Sequence, residues 1–405
     1  MKKDLKICIV GMGYIGLPTA ALLANKGYQI HGVDIDEHIV NTINKGEIHI
    51  VEPELDASVK SAVKSGYMTA NVNPTESNIF MIAVPTPFHE DKYNEVTNSP
   101  IPNIDNIEDS IRKIAPYVRP GNLILLESTS PVGTTEFITD LLKQEEIEID
   151  DIFIAYSPER VLPGNIMKEL IENDRVVGGI NKKSTLKAAE FYRTFVEGEV
   201  LETSAKTAEM VKLAENSFRD VNIAFANELS ILCDDLDISI NELVSLANKH
   251  PRVNVLKPGC GVGGHCISVD PWFIVDKANG KAKIIEQARR TNNYKADWVI
   301  KKINDHIAIF EKNNQRKPSI SCMGLSYKPN IDDLRESPAL YIAMELNKHH
   351  KVKVVEPNIK YCRDLELINL KEGLHMDICI YLVAHKEFLE VDIKKDDLNF
   401  SGGLE

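Results

Sequence analysis

The stretch Ile7-Cys8-Ile9-Val10-Gly11-Met12-Gly13-Tyr14-Ile15-Gly16 decides the fold of the first part of this chain. Its first four residues form a short apolar run typical of a β-strand, and the alanine- and leucine-rich segment that follows predicts a helix. Gly11 permits a tight turn, Gly13 lets a diphosphate approach the backbone, and Gly16 lets the helix pack closely on the strand. This order of strand, glycine turn and helix predicts the start of a parallel α/β domain.

A second predicted strand, Gln29-Ile30-His31-Gly32-Val33-Asp34, ends on a carboxylate at the spacing expected for a group that binds the 2′-hydroxyl of an adenosine ribose. The helix after the glycines presents amide hydrogens and a positive dipole end to a pyrophosphate. Because Asp34 would repel a 2′-phosphate, the pattern predicts NAD rather than NADP. A glycine-rich turn without a nucleotide is the alternative, but the complete context favours a cofactor site made by Gly11, Gly13, Tyr14, Ile15, Gly16 and Asp34.

Composition indicates a multidomain cytoplasmic enzyme. The chain has 405 residues, and roughly 100–200 residues per domain predicts two to four domains. No apolar run approaches the roughly 20 residues that span a bilayer, and Met1-Lys2-Lys3-Asp4 leads directly into the first strand, so we expect neither export nor membrane insertion. Seven cysteines without CxxC pairs predict free thiols, with no disulfide framework and no metal site. The net charge of −13 disfavours nucleic acid as a partner.

Strands and helices alternate through the first part of the chain, which is typical of a parallel, doubly wound sheet. Further predicted strands are Ile79–Val84, Leu123–Glu127 and Ile152–Tyr156. Ligands of such sheets gather at the carboxyl ends of the strands. The loops that follow these strands should therefore converge on one crevice: Val84-Pro85-Thr86-Pro87, Glu127-Ser128-Thr129-Ser130-Pro131-Val132-Gly133 and Ser157-Pro158-Glu159-Arg160.

The second part of the chain begins with helix-prone segments at about Ala205 to Lys249 and at roughly Ala282 to Glu311, long enough for a connecting spine and a dimer interface. A second α/β region follows, with predicted strands at Ser319–Leu325, Lys353–Pro357 and Ile378–Val383. We therefore expect an α/β protein with two Rossmann-like, doubly wound domains, at residues 1–200 and 313–405, joined by a central helical domain with a long helix at residues 201–312.

Cys266 lies in the motif Gly259-Cys260-Gly261-Val262-Gly263-Gly264-His265-Cys266-Ile267-Ser268-Val269-Asp270-Pro271. The paired glycines leave this thiol accessible, and a helix that begins near it would favour the thiolate. A thiolate beside a nicotinamide can trap an aldehyde as a thiohemiacetal, which a second oxidation converts to a thioester that water hydrolyses. A buried, inert thiol is the alternative, and we assign it to Cys260, which lacks the paired glycines. The motif thus predicts a four-electron dehydrogenase.

In this order, and over essentially the whole chain, these motifs resemble the nucleotide-diphosphate-sugar 6-dehydrogenases, the family of UDP-glucose and GDP-mannose dehydrogenases. The runs most similar to its UDP-N-acetylmannosamine branch are Ser157–Gly164, His250–Asn254 and Gly261–Phe273. The UDP-glucose branch typically has another residue at His265 and lacks the Asp270-Pro271-Trp272-Phe273 run. Family members usually carry a further strand after the equivalent of Leu382–His385, whereas this chain stops at Ser401–Glu405, so we expect a truncated last domain or a missing closing strand.

The resemblance makes Cys266 the nucleophile and Asp270 the carboxylate that positions water or tunes the thiol. It places Lys212 and Asn216 at the sugar, where the lysine would stabilise an oxyanion and the amide would orient substrate or water. The two are four residues apart and share a helix face. From spacing alone a solvated face explains them better, and only the resemblance reverses that preference.

The resemblance also matches Thr129 and Glu159 to residues that bind or activate water, with Glu159 the candidate base. Without the resemblance, roles in turns and helix caps explain Thr129 and Glu159 equally well. It further implies NAD contacts from Thr86 and Thr129. The implied substrate contacts are Glu159, Arg160, Val161, Lys212, Asn216, Arg252, Gly263, His265 and Lys328. We favour a pocket-shaping role for His265 over a dyad with Cys266, because adjacent loop residues usually point in different directions; a metal site is less favoured still.

The candidate cations for binding the diphosphates are Arg252 and those of the run Tyr327–Pro338. In the family, Lys328 faces the sugar nucleotide and Arg335 faces the cofactor phosphates, although a surface ion pair of Arg335 with Asp333 is the alternative. Arg252 resembles an arginine that reaches a neighbouring subunit's active site. The resemblance therefore implies a functional homodimer, which could pair further into a dimer of dimers.

The resemblance implies oxidation of a UDP-N-acetylhexosamine, foremost UDP-N-acetylmannosamine, at C6 to the uronate with two NADH formed. The alternatives are the UDP-N-acetylglucosamine and UDP-glucose 6-dehydrogenases, a two-electron hydroxyacid dehydrogenase, and a non-catalytic NAD sensor. A two-electron enzyme would need neither the Cys266 motif nor a second α/β domain. A sensor would not need Cys266 and Lys212.

Overall fold

The computed structural model describes residues 5–403. Residues 1–4, which we expected to lead into the first strand, and residues 404–405, at the end we expected to be truncated, lie outside the described residues. The chain divides into two compact units, Met1–Ala214 and Glu215–Glu405.

The first unit is built on one large sheet. Its strands are β1 (Lys6–Val10), β2 (Gln29–Val33), β3 (Met68–Asn71), β4 (Ile79–Ile82), β5 (Phe88–Tyr93), β6 (Pro100–Pro102), β7 (Leu123–Leu126), β8 (Phe153–Tyr156), β9 (Arg175–Gly179) and β10 (Val200–Ser204). Within residues 5–214 the sheet has the order β10-β9-β8-β7-β4-β1-β2-β3, and β5 and β6 form a separate antiparallel hairpin that we did not predict.

The expected all-parallel sheet was wrong at one junction. From β8 through β3 each strand is parallel to its neighbour, but β9 runs antiparallel to β8, with Tyr156 opposite Gly178 and Ala155 opposite Gly179. For β9 to run parallel to β8, the connection between them would have to return the chain to the edge of the sheet at which β8 begins. The segment between β8 and β9 contains only a seven-residue helix and brings the chain back from the edge at which β8 ends.

Helices cover both faces of this sheet. They are α1 (Gly16–Asn25), α2 (Glu37–Asn44), α3 (Leu55–Lys64), α4 (Asp105–Ile114), α5 (Thr134–Gln144), α6 (Ile166–Glu172) and α7 (Lys182–Tyr192). Alternate residues of β1 enter different cores, Ile7 and Ile9 on one face and Cys8 and Val10 on the other. Burial on both faces explains why the central strands are continuously apolar.

The second unit combines long helices with a smaller parallel sheet. Its helices are α8 (Ala205–Asp235, which begins in the first unit), α9 (Ile240–Ala247), α10 (Asp270–Ala278), α11 (Lys283–Asn314), α12 (Pro338–Asn347) and α13 (Leu370–Gly373). Its strands are β11 (Ile320–Met323), β12 (Val352–Val355), β13 (Glu366–Leu367), β14 (Ile378–Tyr381) and β15 (Leu398–Asn399), in the order β13-β12-β11-β14-β15. The predicted α/β class with two Rossmann-like sheets and a long central helix is confirmed.

Two expectations for this part of the chain need correction. The helix-prone region at about Ala205 to Lys249 is divided into α8 and α9 after Asp235, because Asp237 has a left-handed backbone (φ 55°) and Ser239 caps α9 by accepting from the Glu242 amide. The expected lack of a closing strand was also wrong, since β15 pairs with β14. In the described part of the chain, none of the helices combines the length and the apolar character needed to cross a membrane.

Candidate active site

The glycine turn between β1 and α1 has the close packing that its sequence predicts. Gly11 has φ 92°, and a Cβ there would lie 2.5 Å from the Ala83 carbonyl oxygen. A Cβ on Gly16 would overlap the Gly11 carbonyl oxygen, so the helix can lie this close only with glycine. A Cβ on Gly13 would meet nothing within 4 Å. Open space therefore lies at Gly13, where a diphosphate can approach the amides of the first turn of α1.

Asp34 lies directly after β2, beside this turn. Its carboxylate accepts hydrogen bonds from the Met12 amide (3.0 Å) and the Asp36 amide (3.0 Å). A carboxylate fixed in this way keeps acceptor capacity for ribose hydroxyls. Tyr14 is exposed and Ile15 half-buried at the start of α1. The donor-rich turn and the fixed carboxylate fit NAD.

The predicted loops at the carboxyl ends of β4 and β7 are joined. The Thr86 hydroxyl donates to the Thr129 carbonyl oxygen (2.6 Å). Glu209, a buried residue of α8 that we did not predict, accepts from the amides of Gly133 (2.6 Å) and Thr135 (2.8 Å). Burial raises the pKa of Glu209, while these bonds lower it. The Thr129 loop is therefore held at one end by Thr86 and at the other by Glu209.

Glu159, the candidate base, follows β8 and is buried. One carboxylate oxygen accepts from the Arg160 amide (2.6 Å) and the Val161 amide (2.8 Å), and the other accepts from the Arg175 guanidinium (3.0 Å). The antiparallel register of β8 and β9, continued by three residues, sets Arg175 opposite Glu159. Arg175 is only 2% exposed. The structure thus adds a buried ion pair to a residue predicted as a base and as a substrate contact.

Glu127 and Tyr192 complete a buried cluster with Glu159 and Arg175. The Tyr192 hydroxyl donates to Glu127 (2.7 Å), and the Arg175 guanidinium lies 5.4 Å from the centre of the Tyr192 ring. Burial and the negative charge of Glu159 raise the pKa of Glu127 to about 7, against the lowering effects of Arg175 and Tyr192. Sequence reasoning assigned no role to Glu127, Arg175 or Tyr192. The available sequence signals were the carboxylate of Glu127 directly after the apolar strand β7 and the arginine Arg175 at the start of β9.

Cys266 is half-buried in the second unit, in a turn that leads into α10. Its carbonyl oxygen accepts from the amides of Val269 (3.1 Å) and Asp270 (2.8 Å), so the predicted helix begins one turn after the thiol. Cys260, in the same loop, is buried, and burial raises its pKa to about 12. Cys266 is therefore the more accessible of the two thiols in this loop, and burial favours the protonated form of Cys260.

Asp270 receives the Asn216 side chain. The Asn216 amide donates to the Asp270 carboxylate (2.5 Å), and Asp270 is 2% exposed. Two predicted residues are thus brought together next to the Cys266 turn. Lys212 lies half-buried on α8, four residues before Asn216.

The Cys266 loop packs on the segment that begins at Tyr327. A Cβ on Gly263 would lie 2.5 Å from the Glu336 carbonyl oxygen and 2.7 Å from the Tyr327 Cβ. The Gly264 amide donates to the Arg335 carbonyl oxygen (3.0 Å). The glycines predicted to expose the thiol therefore also provide the close approach of two chain segments.

The predicted cations occupy exposed positions. Lys328 and Arg252 are exposed, and the Arg335 guanidinium is paired with the Asp333 carboxylate (2.6 Å), the surface ion pair named above as an alternative. Burial would raise the pKa of Asp333, but the Arg335 bonds and the charge of His265 lower it. The exposed His265 side chain is therefore within electrostatic range of Asp333. Among residues 5–403, no cluster of His, Cys, Asp and Glu side chains is arranged to hold a metal ion.

Comparisons with known proteins agree with the motifs. The sequence matches the UDP-glucose/GDP-mannose dehydrogenase family in three parts: the NAD binding domain at residues 5–196, the central domain at residues 206–294 and the UDP binding domain at residues 321–399. The UDP-N-acetyl-D-mannosamine dehydrogenase of Campylobacter jejuni is 51% identical over 409 aligned residues, which cover 96% of this chain and 98% of that protein. The NDP-N-acetyl-D-galactosaminuronic acid dehydrogenase of Ralstonia nicotianae is 47% identical, covering 95% of this chain and 92% of that protein.

A solved structure extends the likeness to the fold. The UDP-D-ManNAc dehydrogenase of Pyrococcus horikoshii superposes with a TM-score of 0.88 at 34% identity, covering 98% of this chain and 100% of that chain. Because the family's domains match in order along this chain and its relatives are similar over nearly their whole length, the protein belongs to the NAD-dependent UDP-glucose/GDP-mannose dehydrogenase family.

Proposed function

We propose that the protein oxidises the C6 hydroxyl of UDP-N-acetyl-D-mannosamine to a carboxylate, with two NADH formed per product. The observation that carries this proposal is the accessible Cys266 thiol and the hydrogen bonds beside it. The Asp270 amide donates to the Cys266 carbonyl oxygen, and the Asn216 side chain donates to the Asp270 carboxylate. The choice of sugar is supported by the 51% identity to the Campylobacter jejuni enzyme.

NAD, when bound at the glycine turn, accepts a hydride in each oxidation. The first oxidation removes a hydride from C6 and the proton of its hydroxyl, which leaves an aldehyde. The Cys266 sulfur then bonds to C6 and the carbonyl oxygen takes a proton, giving a thiohemiacetal. A second loss of hydride and hydroxyl proton gives the thioester. Water adds to this carbonyl, the carbon–sulfur bond breaks, and the carboxylate leaves as the thiol recovers its proton.

The remaining residues have separate tasks in this scheme. The Lys212 ammonium stabilises the negative oxygen that develops at C6. Asn216 and Asp270 orient substrate and water beside Cys266. Glu159 takes the proton of the water that hydrolyses the thioester, and Thr129 helps to bind this water. The proposed sugar-nucleotide contacts are Arg160, Val161, Gly263, His265 and Lys328.

An N-acetylgalactosamine nucleotide is the second candidate substrate, supported by the 47% identity to the Ralstonia nicotianae protein. The test compares kcat/KM for this nucleotide, UDP-N-acetylmannosamine, UDP-N-acetylglucosamine and UDP-glucose. The highest value is expected for UDP-N-acetylmannosamine. Another sugar in first place would replace the proposed substrate and leave the reaction class unchanged.

The proposed homodimer uses the exposed face of α8. Phe218, Phe225 and Leu232 are spaced by seven residues, two helical turns, and are 71%, 54% and 49% exposed. An apolar stripe of this kind fits a second copy of the chain.

We further propose that Arg252 completes the neighbour's site. Mixing inactive Arg252→Ala and Cys266→Ser chains should then restore part of the activity, because a mixed dimer holds one site with both Cys266 and the neighbour's Arg252. If mixing restores no activity, the proposal that Arg252 acts in the neighbour's site is wrong.

A further inference from the structure

The cluster of Glu127, Glu159, Arg175 and Tyr192 lies beneath two predicted site loops of the first unit. Glu127 is the first residue after β7 and leads into the Thr129 loop, and Glu159 lies in the loop after β8. Arg175 begins β9 and Tyr192 ends α7. All four side chains are buried. Four separate elements thus bring two carboxyls, one guanidinium and one phenol together.

The contacts give Arg175 two partners. Its guanidinium donates to the Glu159 carboxylate (3.0 Å) and to the Pro158 carbonyl oxygen (3.2 Å), so it fixes both the side chain and the backbone of the Glu159 loop. Its charge also acts on Glu127, which accepts the Tyr192 hydroxyl. If both carboxyls were ionised, the one guanidinium would be shared between two negative charges in a buried place.

We propose that Glu127, Arg175 and Tyr192 are positioning residues for Glu159, and that the protonation state of Glu127 sets how strongly Arg175 holds the Glu159 carboxylate during thioester hydrolysis. This inference rests on the proposed function of Glu159. When Glu127 is protonated, the Arg175 charge acts mainly on Glu159 and holds its carboxylate in the ion pair. When Glu127 is ionised, it shares Arg175 with Glu159, so the Glu159 carboxylate is held less strongly and is more available to accept a proton from water.

The electrostatics of the cluster favour this change near neutral pH. Burial raises the pKa of Glu127 to about 7, and the charges that act on it come from Arg175, Glu159 and Tyr192. The Tyr192 hydrogen bond lowers this pKa. The hydrolysis rate should therefore rise with pH through this region, with an inflection that belongs to Glu127.

The test is the rate constant for uronate release in a single turnover, measured from about pH 5.5 to about pH 8.5. Glu127→Gln keeps an acceptor for Tyr192 but cannot titrate, so its profile should lose the inflection near pH 7. Tyr192→Phe removes the donor to Glu127 and should move the inflection to higher pH. An unchanged inflection in Glu127→Gln, or an unmoved one in Tyr192→Phe, would overturn the proposal, because a purely structural role predicts neither change.

A second readout separates this inference from the proposed function. Infrared spectra of the free enzyme should show a protonated carboxyl band that disappears as pH rises through about 7 in the wild type and is missing in Glu127→Gln. Lack of any such band in the wild type would overturn the inference even if uronate is made. If no nucleotide sugar gives a uronate, the proposed function fails, and the infrared titration still decides whether Glu127 holds the proton.

Discussion

The Asn216 side chain donates to the Asp270 carboxylate over 2.5 Å, and the Asp270 amide donates to the Cys266 carbonyl oxygen over 2.8 Å. One residue, Asp270, thereby connects α8 to the turn that carries the thiol. Its carboxylate is fixed by Asn216 while its backbone fixes the turn.

Replacing Asn216 with Ala should lower kcat by roughly 10- to 100-fold, because the nearly buried Asp270 carboxylate loses a donor worth about 1–3 kcal/mol. The KM for NAD should stay unchanged. Asn314→Ala is the matched control, since Asn314 is an exposed helical asparagine whose amide bonds the Phe310 carbonyl oxygen. Equal kcat for Asn216→Ala and the control would show that the bond does not serve catalysis.

The packing of the Cys266 loop predicts different outcomes for two glycines. A Cβ on Gly263 would meet the Glu336 carbonyl oxygen at 2.5 Å, whereas a Cβ on Gly259 would meet only the Gly261 carbonyl oxygen at 3.8 Å. Gly263→Ala should destabilise the protein by about 1–3 kcal/mol and abolish most turnover. Gly259→Ala should behave as the wild type. Thermal unfolding and steady-state assays compare the two, and equal behaviour would contradict the packing described above.

Asp34 predicts cofactor selectivity. Asp34→Asn should raise the KM for NAD roughly tenfold or more, because an acceptor for the ribose hydroxyl becomes a neutral amide. It should also narrow the preference for NAD over NADP, since the charge that repels a 2′-phosphate is removed. Assays with both cofactors measure the ratio, with the exposed Glu37 changed to Gln as control. A ratio that does not move would assign the selectivity to other residues.

Glu127 predicts a pH dependence of the free energy of unfolding. Its pKa rises from the ordinary 4.5 to about 7 on folding, so between these values the native state binds more protons than the unfolded state. Stability is therefore expected to fall as pH rises through this window, by at most about 3 kcal/mol from this group. Urea unfolding at about pH 5 and about pH 8 should show a smaller fall for Glu127→Gln. Glu76→Gln, at an exposed site, should keep the wild-type fall, and identical falls in all three proteins would contradict the assignment.

Sequence patterns predicted the elements whose signals are local. The apolar runs of β1, β4 and β7 and the glycine turn after β1 are set by residues near one another in the chain, so periodicity and turn chemistry reveal them. The break after Asp235 was missed although Ser239-Ile240-Asn241-Glu242 is a capping-box pattern that marks the start of a helix. The left-handed backbone of Asp237 has no equally distinctive sequence signal.

The residues of the candidate site also fall into two groups, those with a local sequence signal and those that meet only through the fold. Cys266 and Gly263 stand out in one motif, and the family resemblance assigned Asp270. Arg175 could not be assigned, because its partner Glu159 is set by an antiparallel register that strand and helix alternation does not predict. Glu127 and Tyr192 meet only in the folded unit, 65 residues apart in sequence. Long-range pairing of buried charges is the part that required the structure.

The most direct test of the proposed reaction is the yield of NADH per mole of limiting UDP-N-acetylmannosamine, with wild type, Cys266→Ser and Cys260→Ser side by side. The thioester route predicts two NADH and a uronate from the wild type and from Cys260→Ser, and a stalled reaction from Cys266→Ser. One NADH with a free aldehyde from the wild type, or two NADH from Cys266→Ser, would contradict it.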